Sequence, residues 1–226
     1  MSIKAHVANH YVRTGLPPAL PEFTHVNRYF DPKQKVFAAK IMPGEFYVSL
    51  HGEMIVTVLG SCVAACIRDV KLGIGGMNHF MLPVERMQGV SLNTNSKTKS
   101  DVFTDSARYG NWAMEFLINT ILKQGGKKEN LEVKLFGGGN VLDAIRTVDV
   151  GRDNIEFVQG YLKAENLALA ASDLGDDCPR KVLYFADTGS VKIKRMHRTH
   201  NDTVQEREAQ YVKGLEKGSA GDIDIF

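Results

Sequence analysis

Cys62 stands directly after a Gly60-Ser61 break that ends the apolar, β-branched run Met54 to Leu59. A turn exposes the sulfur and the neighbouring backbone N–H groups, whereas a mid-strand cysteine is enclosed. Two other cysteines occur. Cys66, deeper in an apolar run, reads as a small buried hydrophobe, and Cys178, before Pro179, as a loop residue. The partner for Cys62 is His79. The runs Cys62 to Arg68 and Gly73 to Leu82 flank Asp69-Val70-Lys71-Leu72 and predict a hairpin. A two-residue turn at Val70-Lys71 sets Asp69 opposite Leu72, and therefore Cys62 opposite His79, with Cβ atoms about 4.5–5.5 Å apart on one face. A three-residue turn sets His79 opposite Ser61 instead.

A histidine at that distance can take the thiol proton, giving a thiolate–imidazolium pair and a cysteine pKa well below the free value of about 8.5. That makes a nucleophile at neutral pH. Thr57 is the nearest hydroxyl in sequence able to orient the imidazole. An unbroken strand would point Thr57 and Cys62 to opposite faces, so the Leu59-Gly60-Ser61 break must re-aim the chain.

The elements that must position these groups follow from periodicity and punctuation. Residues 1–40, with Pro17, Pro18, Pro21 and Pro32 and no sustained period, read as an irregular extension. Pro43-Gly44 is turn chemistry feeding a strand at Tyr47 to Leu50, and Met54 to Leu59 is a buried strand. Residues 84–103 are polar and read as a surface loop. Tyr109, Ala113, Phe116, Leu117, Thr120 and Ile121 recur at helical spacing before a Gly125-Gly126 stop. Glu132 to Phe136 is a strand running into Gly137-Gly138-Gly139-Asn140. A second helix is expected from Asp153, with Glu156 at capping-box spacing and Ile155, Val158, Tyr161 and Leu162 on one face. Val182 to Phe185 and Val191 to Met196 bracket a second hairpin. The expectation is one α+β domain over 41–200, with a polar, frayed tail at 201–226.

Composition bounds the function. The 226 residues carry 28 basic and 26 acidic side chains, 43% hydrophobic and 24% charged residues, which fits one globular domain with a sizeable core. A formal net charge of +2 with no basic stripe argues against nucleic-acid binding. The opening residues lack a signal-peptide layout, and no segment approaches the roughly 18 apolar residues of a membrane span. Three cysteines fit reduced thiols, and the expected location is the cytoplasm.

The stretches Thr-Val-Leu-Gly-Ser-Cys-Val-Ala-Ala-Cys-Ile-Arg-Asp (57–69), Gly-Gly-Met-Asn-His-Phe-Met-Leu-Pro (75–83), Lys-Leu-Phe-Gly-Gly-Gly-Asn (134–140) and Asp-Leu-Gly-Asp-Asp-Cys-Pro-Arg-Lys-Val (173–182) together resemble the CheD family of chemoreceptor glutamine deamidases, in the family's order from about Ile41 to about Met196. The resemblance implies a Cys–His–Thr site that hydrolyses receptor glutamine side chains to glutamate, with Cys62 as nucleophile, His79 as base and Thr57 as the family threonine. Backbone N–H groups at Gly60, Ser61 and Cys62 are then the candidates for receiving the developing oxyanion. The implied fold is a layered α/β sandwich of mixed or antiparallel sheet with flanking helices, similar to deamidating bacterial toxins. The implied substrate is the cytoplasmic helical domain of methyl-accepting chemoreceptors, without metal, organic cofactor or membrane insertion. Some family members also bind the CheC phosphatase.

Other signals carry less. Gly137-Gly138-Gly139-Asn140 completes neither a dinucleotide fingerprint nor a P-loop and reads as a tight turn. His197 and His200 begin a polar stretch with no accompanying C-x-x-C pair, so solvated histidines are favoured over zinc. Lys192, Lys194 and Arg195 read as the wet face of a hairpin. Two further readings stand beside the deamidase: a non-catalytic chemotaxis adaptor, and a papain-like protease, whose histidine normally lies far downstream of its cysteine.

Overall fold

A computed structural model describes residues 15–82, 99–141, 149–196 and 203–211 except 205, with side chains of the first helix described from residue 109. Among the described residues, ten strands form two five-stranded sheets. One sheet contains β1 (Asn27–Asp31), β2 (Val36–Lys40), β4 (Met54–Leu59), β9 (Arg180–Phe185) and β10 (Ser190–Arg195), in the order β1-β2-β4-β9-β10. The other contains β3 (Phe46–Ser49), β5 (Val63–Asp69), β6 (Gly75–Asn78), β7 (Leu131–Gly137) and β8 (Leu169–Leu174), in the order β3-β6-β5-β7-β8. Both sheets are mixed: β2 runs parallel to β4 and β7 parallel to β8, while the remaining pairs are antiparallel. The helices α1 (Lys99–Lys123) and α2 (Val150–Ala164) complete the α+β layout.

Burial explains the layering. The β5 text Val-Ala-Ala-Cys-Ile is buried at every position, the mark of a central strand covered on both faces. Helix α1 packs on β3, β5 and β6, and the other sheet shares a continuous core with them through Ala39, Ile55, Leu59, Val182 and Tyr184. Along β4 the side chains alternate. Met54 and Val56 join a small outer cluster with Ala38, whereas Ile55 and Leu59 enter the main core. Thr57 shares their parity and so points inward, between the sheets.

The first forty residues are not irregular throughout: residues 27–40 form the β1–β2 hairpin. Its turn is built by Asp31, whose carboxylate accepts from the N–H groups of Lys33 (2.8 Å) and Gln34 (2.9 Å). Pro32 sits inside that turn, where it does not interrupt a ladder. Helix α1 begins at Lys99, within the stretch expected as loop. Phe116, expected on its apolar face, is 58% exposed. Helix α2 begins earlier than the Asp153 signal, because Asp149 is its N-cap and accepts from Arg152 N–H at 3.0 Å. The expected features at 84–98 and at His197 and His200 lie outside the described residues.

The tail also departs from expectation. Residues 203–204 and 206–211 are helical (α3), and Val204, Glu208 and Tyr211 face the body at helical spacing, with Val204 and Glu208 buried and Tyr211 packed against the core. Among the described residues no helix is long and apolar enough to cross a membrane.

Candidate active site

The Gly60-Ser61 break is the point where the chain leaves one sheet for the other, since β4 and β5 belong to different sheets. Strand parity therefore does not relate Thr57 to Cys62, and the two come to one site from opposite layers. Cys62, just before β5, is fully buried. Its turn is pinned on one side. Gly139 N–H donates to the Gly60 carbonyl (2.8 Å), Asn154 Nδ2 to the Ser61 carbonyl (3.0 Å) and Gly138 N–H to the Cys62 carbonyl (2.7 Å). Three consecutive carbonyls held one way leave the three N–H groups of Gly60, Ser61 and Cys62 free to converge the other way.

That requirement explains the glycine run. Gly137 has φ of +106° and Gly138 of +67°, and a Cβ on Gly137 would collide with the Cys62 carbonyl oxygen. The run carries the chain out of β7 where a tight turn was expected, and its N–H groups are spent on the Gly60 and Cys62 carbonyls and on Asp176.

His79 follows β6. Its backbone is tied to the Pro43-Gly44 turn, with His79 N–H donating to Glu45 (2.9 Å) and Gly44 N–H to His79 (2.8 Å). The pairing differs from expectation. Cys66 faces Met77 and Arg68 faces Gly75, and Val63 bridges Phe80, so the ladder is shifted by two residues and Cys62 does not lie directly opposite His79. The cause is Asp69. Its carboxylate accepts from the N–H groups of Lys71 (2.8 Å) and Leu72 (2.9 Å), which opens a longer turn closed by Asp69 N–H to Ile74 (2.9 Å). A shift of two keeps every side chain on its face, so the histidine remains a diagonal neighbour of the cysteine.

Thr57 Oγ1 lies 2.7 Å from His79 Nδ1 and 2.9 Å from the Ile41 carbonyl. Because the hydroxyl must donate to the carbonyl, it accepts from Nδ1–H, which leaves Nε2 as the unprotonated nitrogen. Nε2 is buried and has no hydrogen-bond partner among the described residues. Cys62 Sγ, an imidazole nitrogen of His79 and a Glu208 carboxylate oxygen all lie within 4.8 Å of one another.

Glu208 and Asn154 are the members that sequence reasoning missed. Glu208 Oε1 accepts from the N–H groups of Gly60 (2.8 Å) and Cys62 (3.3 Å). Its Oε2 accepts from Ser61 N–H (3.0 Å) and Ser61 Oγ (2.7 Å). Gly60 has to lack a side chain here, because a Cβ would sit 2.8 Å from that carboxylate. Asn154, fully buried, also accepts from Leu82 N–H at 2.8 Å and so braces the residue before Cys62 and the segment after His79. A polar residue on the apolar face of α2 was the signal available for it.

Electrostatics here oppose the expected ion pair. Burial, then the charge of Glu208 and a hydrogen bond to it, push the Cys62 thiol well above its ordinary value. Burial pushes His79 down to about 3. The site as folded holds a neutral thiol and a neutral imidazole, in place of the expected thiolate and imidazolium. Cys62, His79 and Glu208 also number enough donors for a metal ion. Both carboxylate oxygens, however, are turned onto N–H and O–H donors, the environment of an anion.

Fold and site together define a class: a two-sheet α+β protein with a buried cysteine and histidine at the crossing between its sheets, beside a nest of backbone N–H groups. The comparisons place it more closely. The CheD profile, described as CheD chemotactic sensory transduction, matches residues 81–195. The chain is 52% identical over 212 residues to a protein of Halorhodospira halophila named "Probable chemoreceptor glutamine deamidase CheD", covering 93% of this chain and 94% of that one. Proteins of the same printed name from Saccharophagus degradans and Hahella chejuensis are 50% and 48% identical, each across 93% of this chain and 94% and 95% of their own. The chain belongs to the CheD family.

Proposed function

We propose that this protein is a protein-glutamine deamidase that converts glutamine side chains of chemoreceptors to glutamate and releases ammonia. Cys62 is the nucleophile, His79 the base and Thr57 the residue that orients it. One observation carries the reading: the Thr57 hydroxyl fixes Nδ1–H of His79, so that Nε2, with no other partner among the described residues, is left to receive the thiol proton. The relatives' names supply the substrate class. Receptor glutamines on the cytoplasmic helices are the targets, which puts the enzyme in the cytoplasm beside a membrane.

The chemistry is acyl transfer. The Cys62 sulfur bonds to the carboxamide carbon as its proton passes to Nε2, and the carbonyl oxygen becomes an oxyanion among the N–H groups of Gly60, Ser61 and Cys62. Imidazolium returns the proton to the leaving nitrogen, the C–N bond breaks and ammonia departs. Water, deprotonated by His79, then cleaves the thioester and regenerates the thiol. Proton transfer coupled to attack suits the neutral pair, whose sulfur and ring nitrogen lie within 4.8 Å of each other.

Mass spectrometry of a receptor cytoplasmic fragment, with an ammonia assay, tests this on wild type, Cys62→Ala and His79→Ala proteins. Conversion by wild type alone is expected. A folded wild type that converts no glutamine leaves the adaptor reading, whereas a fully active Cys62→Ala protein removes the cysteine mechanism.

A further inference from the structure

The carboxylate of Glu208 occupies the place where deamidation would generate a carboxylate. Four donors from Gly60, Ser61 and Cys62 hold it, beside the Cys62 sulfur and the His79 ring. The helix that carries it is shaped for delivery. Val204, Glu208 and Tyr211 make one face, while Glu206, Arg207, Ala209 and Gln210 are exposed. Val204 lines the crevice that reaches Thr57 and His79, and the Tyr211 ring lies over Gly44, where any Cβ would meet it at 2.8 Å. The Tyr211 hydroxyl meets that of Tyr109 on α1. Two anchors thus flank a central glutamate.

We propose that Glu208 is a built-in product: α3 fills the substrate groove, sets a glutamate side chain in the oxyanion site and inhibits the enzyme until it yields to a helix bearing glutamine. The proposal rests on the deamidase reading. A catalytic acid would hydrogen-bond the imidazole, but Thr57 holds that position, and every oxygen of Glu208 is engaged by the nest. Because the inhibitor is tethered, it competes at an effective concentration on the order of millimolar.

The geometry gives a direct consequence for the Glu208→Gln protein: the chain becomes its own substrate. The amide carbon bonds to Cys62 sulfur, the C–N bond breaks, ammonia leaves with the proton that His79 held, and one water restores glutamate at position 208. No other reactant is needed.

The test follows the full-length Glu208→Gln protein over time by peptide mass spectrometry and ammonia release, with Cys62→Ala/Glu208→Gln as control. One equivalent of ammonia and conversion of the amide at position 208, absent in the control, are expected. In parallel, Glu208→Ala should lower the apparent KM for a receptor cytoplasmic fragment on the order of tenfold with kcat unchanged. It should also speed alkylation of Cys62 by iodoacetamide, read on the Cys62 peptide so that Cys178 does not contribute. A persistent amide in a folded Glu208→Gln protein, while wild type still converts the fragment, overturns the built-in product and leaves the deamidase intact. Loss of kcat in Glu208→Ala overturns it too, by making Glu208 catalytic. If no fragment glutamine and no amide at position 208 is converted by any of these proteins, the deamidase reading falls, and the built-in product with it.

Discussion

At the scale of single residues, the protein sets the protonation of one ring through one hydroxyl. Thr57 can donate only once, and the Ile41 carbonyl takes that proton, so His79 is fixed as the Nδ1–H tautomer. Thr57→Val keeps the shape and removes the hydroxyl, leaving two buried groups unpaired at a cost of about 1–3 kcal/mol. If the cost falls on the reacting state, kcat on a receptor fragment drops roughly 5- to 150-fold with KM little changed. Thr57→Ser should retain most of the rate. An unchanged kcat in Thr57→Val would remove Thr57 as the orienting group. That Cys62, His79 and Thr57 come together was legible in the sequence, because a cysteine after a glycine break and a histidine in a following apolar run are local signals. Glu208 was not, since its partners lie 146 to 148 residues away and it sits in a polar segment where one buried face is easily read as solvated.

At the scale of elements, the nest exists because something else takes the carbonyls. Asn154→Ala frees the Ser61 carbonyl and the Leu82 N–H in the interior, and a loss of about 1–3 kcal/mol in unfolding free energy is expected from denaturant titration. Because Asn154 acts through the position of Cys62, kcat should fall while fragment binding, measured separately, is unchanged. Gly137→Ala combines positive φ with collision against the Cys62 carbonyl, and at least about 2 kcal/mol of destabilisation is expected by the same measurement. Strands β3 to β7, the hairpin β9–β10 and both long helices could be read from period and punctuation. The hairpin β1–β2 could not, because the prolines and the lack of a sustained period suggested an irregular extension where Asp31 in fact builds a turn. The β5–β6 register was misjudged for a related reason: the sequence shows Asp69 but not how many N–H groups its carboxylate gathers. There, burial alone would raise the Asp69 carboxyl, yet its hydrogen bonds to Lys127, Leu72, Asn130 and Lys71 hold it below its ordinary range.

At the scale of the whole molecule, helices, central sheet and outer sheet bury His79 completely, and that burial couples stability to pH. The unfolded ring titrates near 6.5 and the folded one near 3. Between those values the unfolded chain binds more protons, so the contribution of neutral His79 is complete above about pH 6.5 and is lost as pH falls toward 3. Denaturant midpoints should therefore decline between pH 7 and pH 5, before carboxylates protonate. His79→Gln should flatten that decline, and equal declines in both proteins would exclude His79 as its source. The crossing at Gly60-Ser61 has a further effect, on biogenesis. Thr57 belongs to a sheet completed by β9 and β10, and Cys62 to one completed by β7 and β8, so ribosome-bound or partly refolded chains lack the joint between them. Until that joint closes, the His79 ring beside Cys62 has no Thr57 hydroxyl to fix its tautomer, and recovery of activity during refolding becomes a clock for the docking of the two sheets.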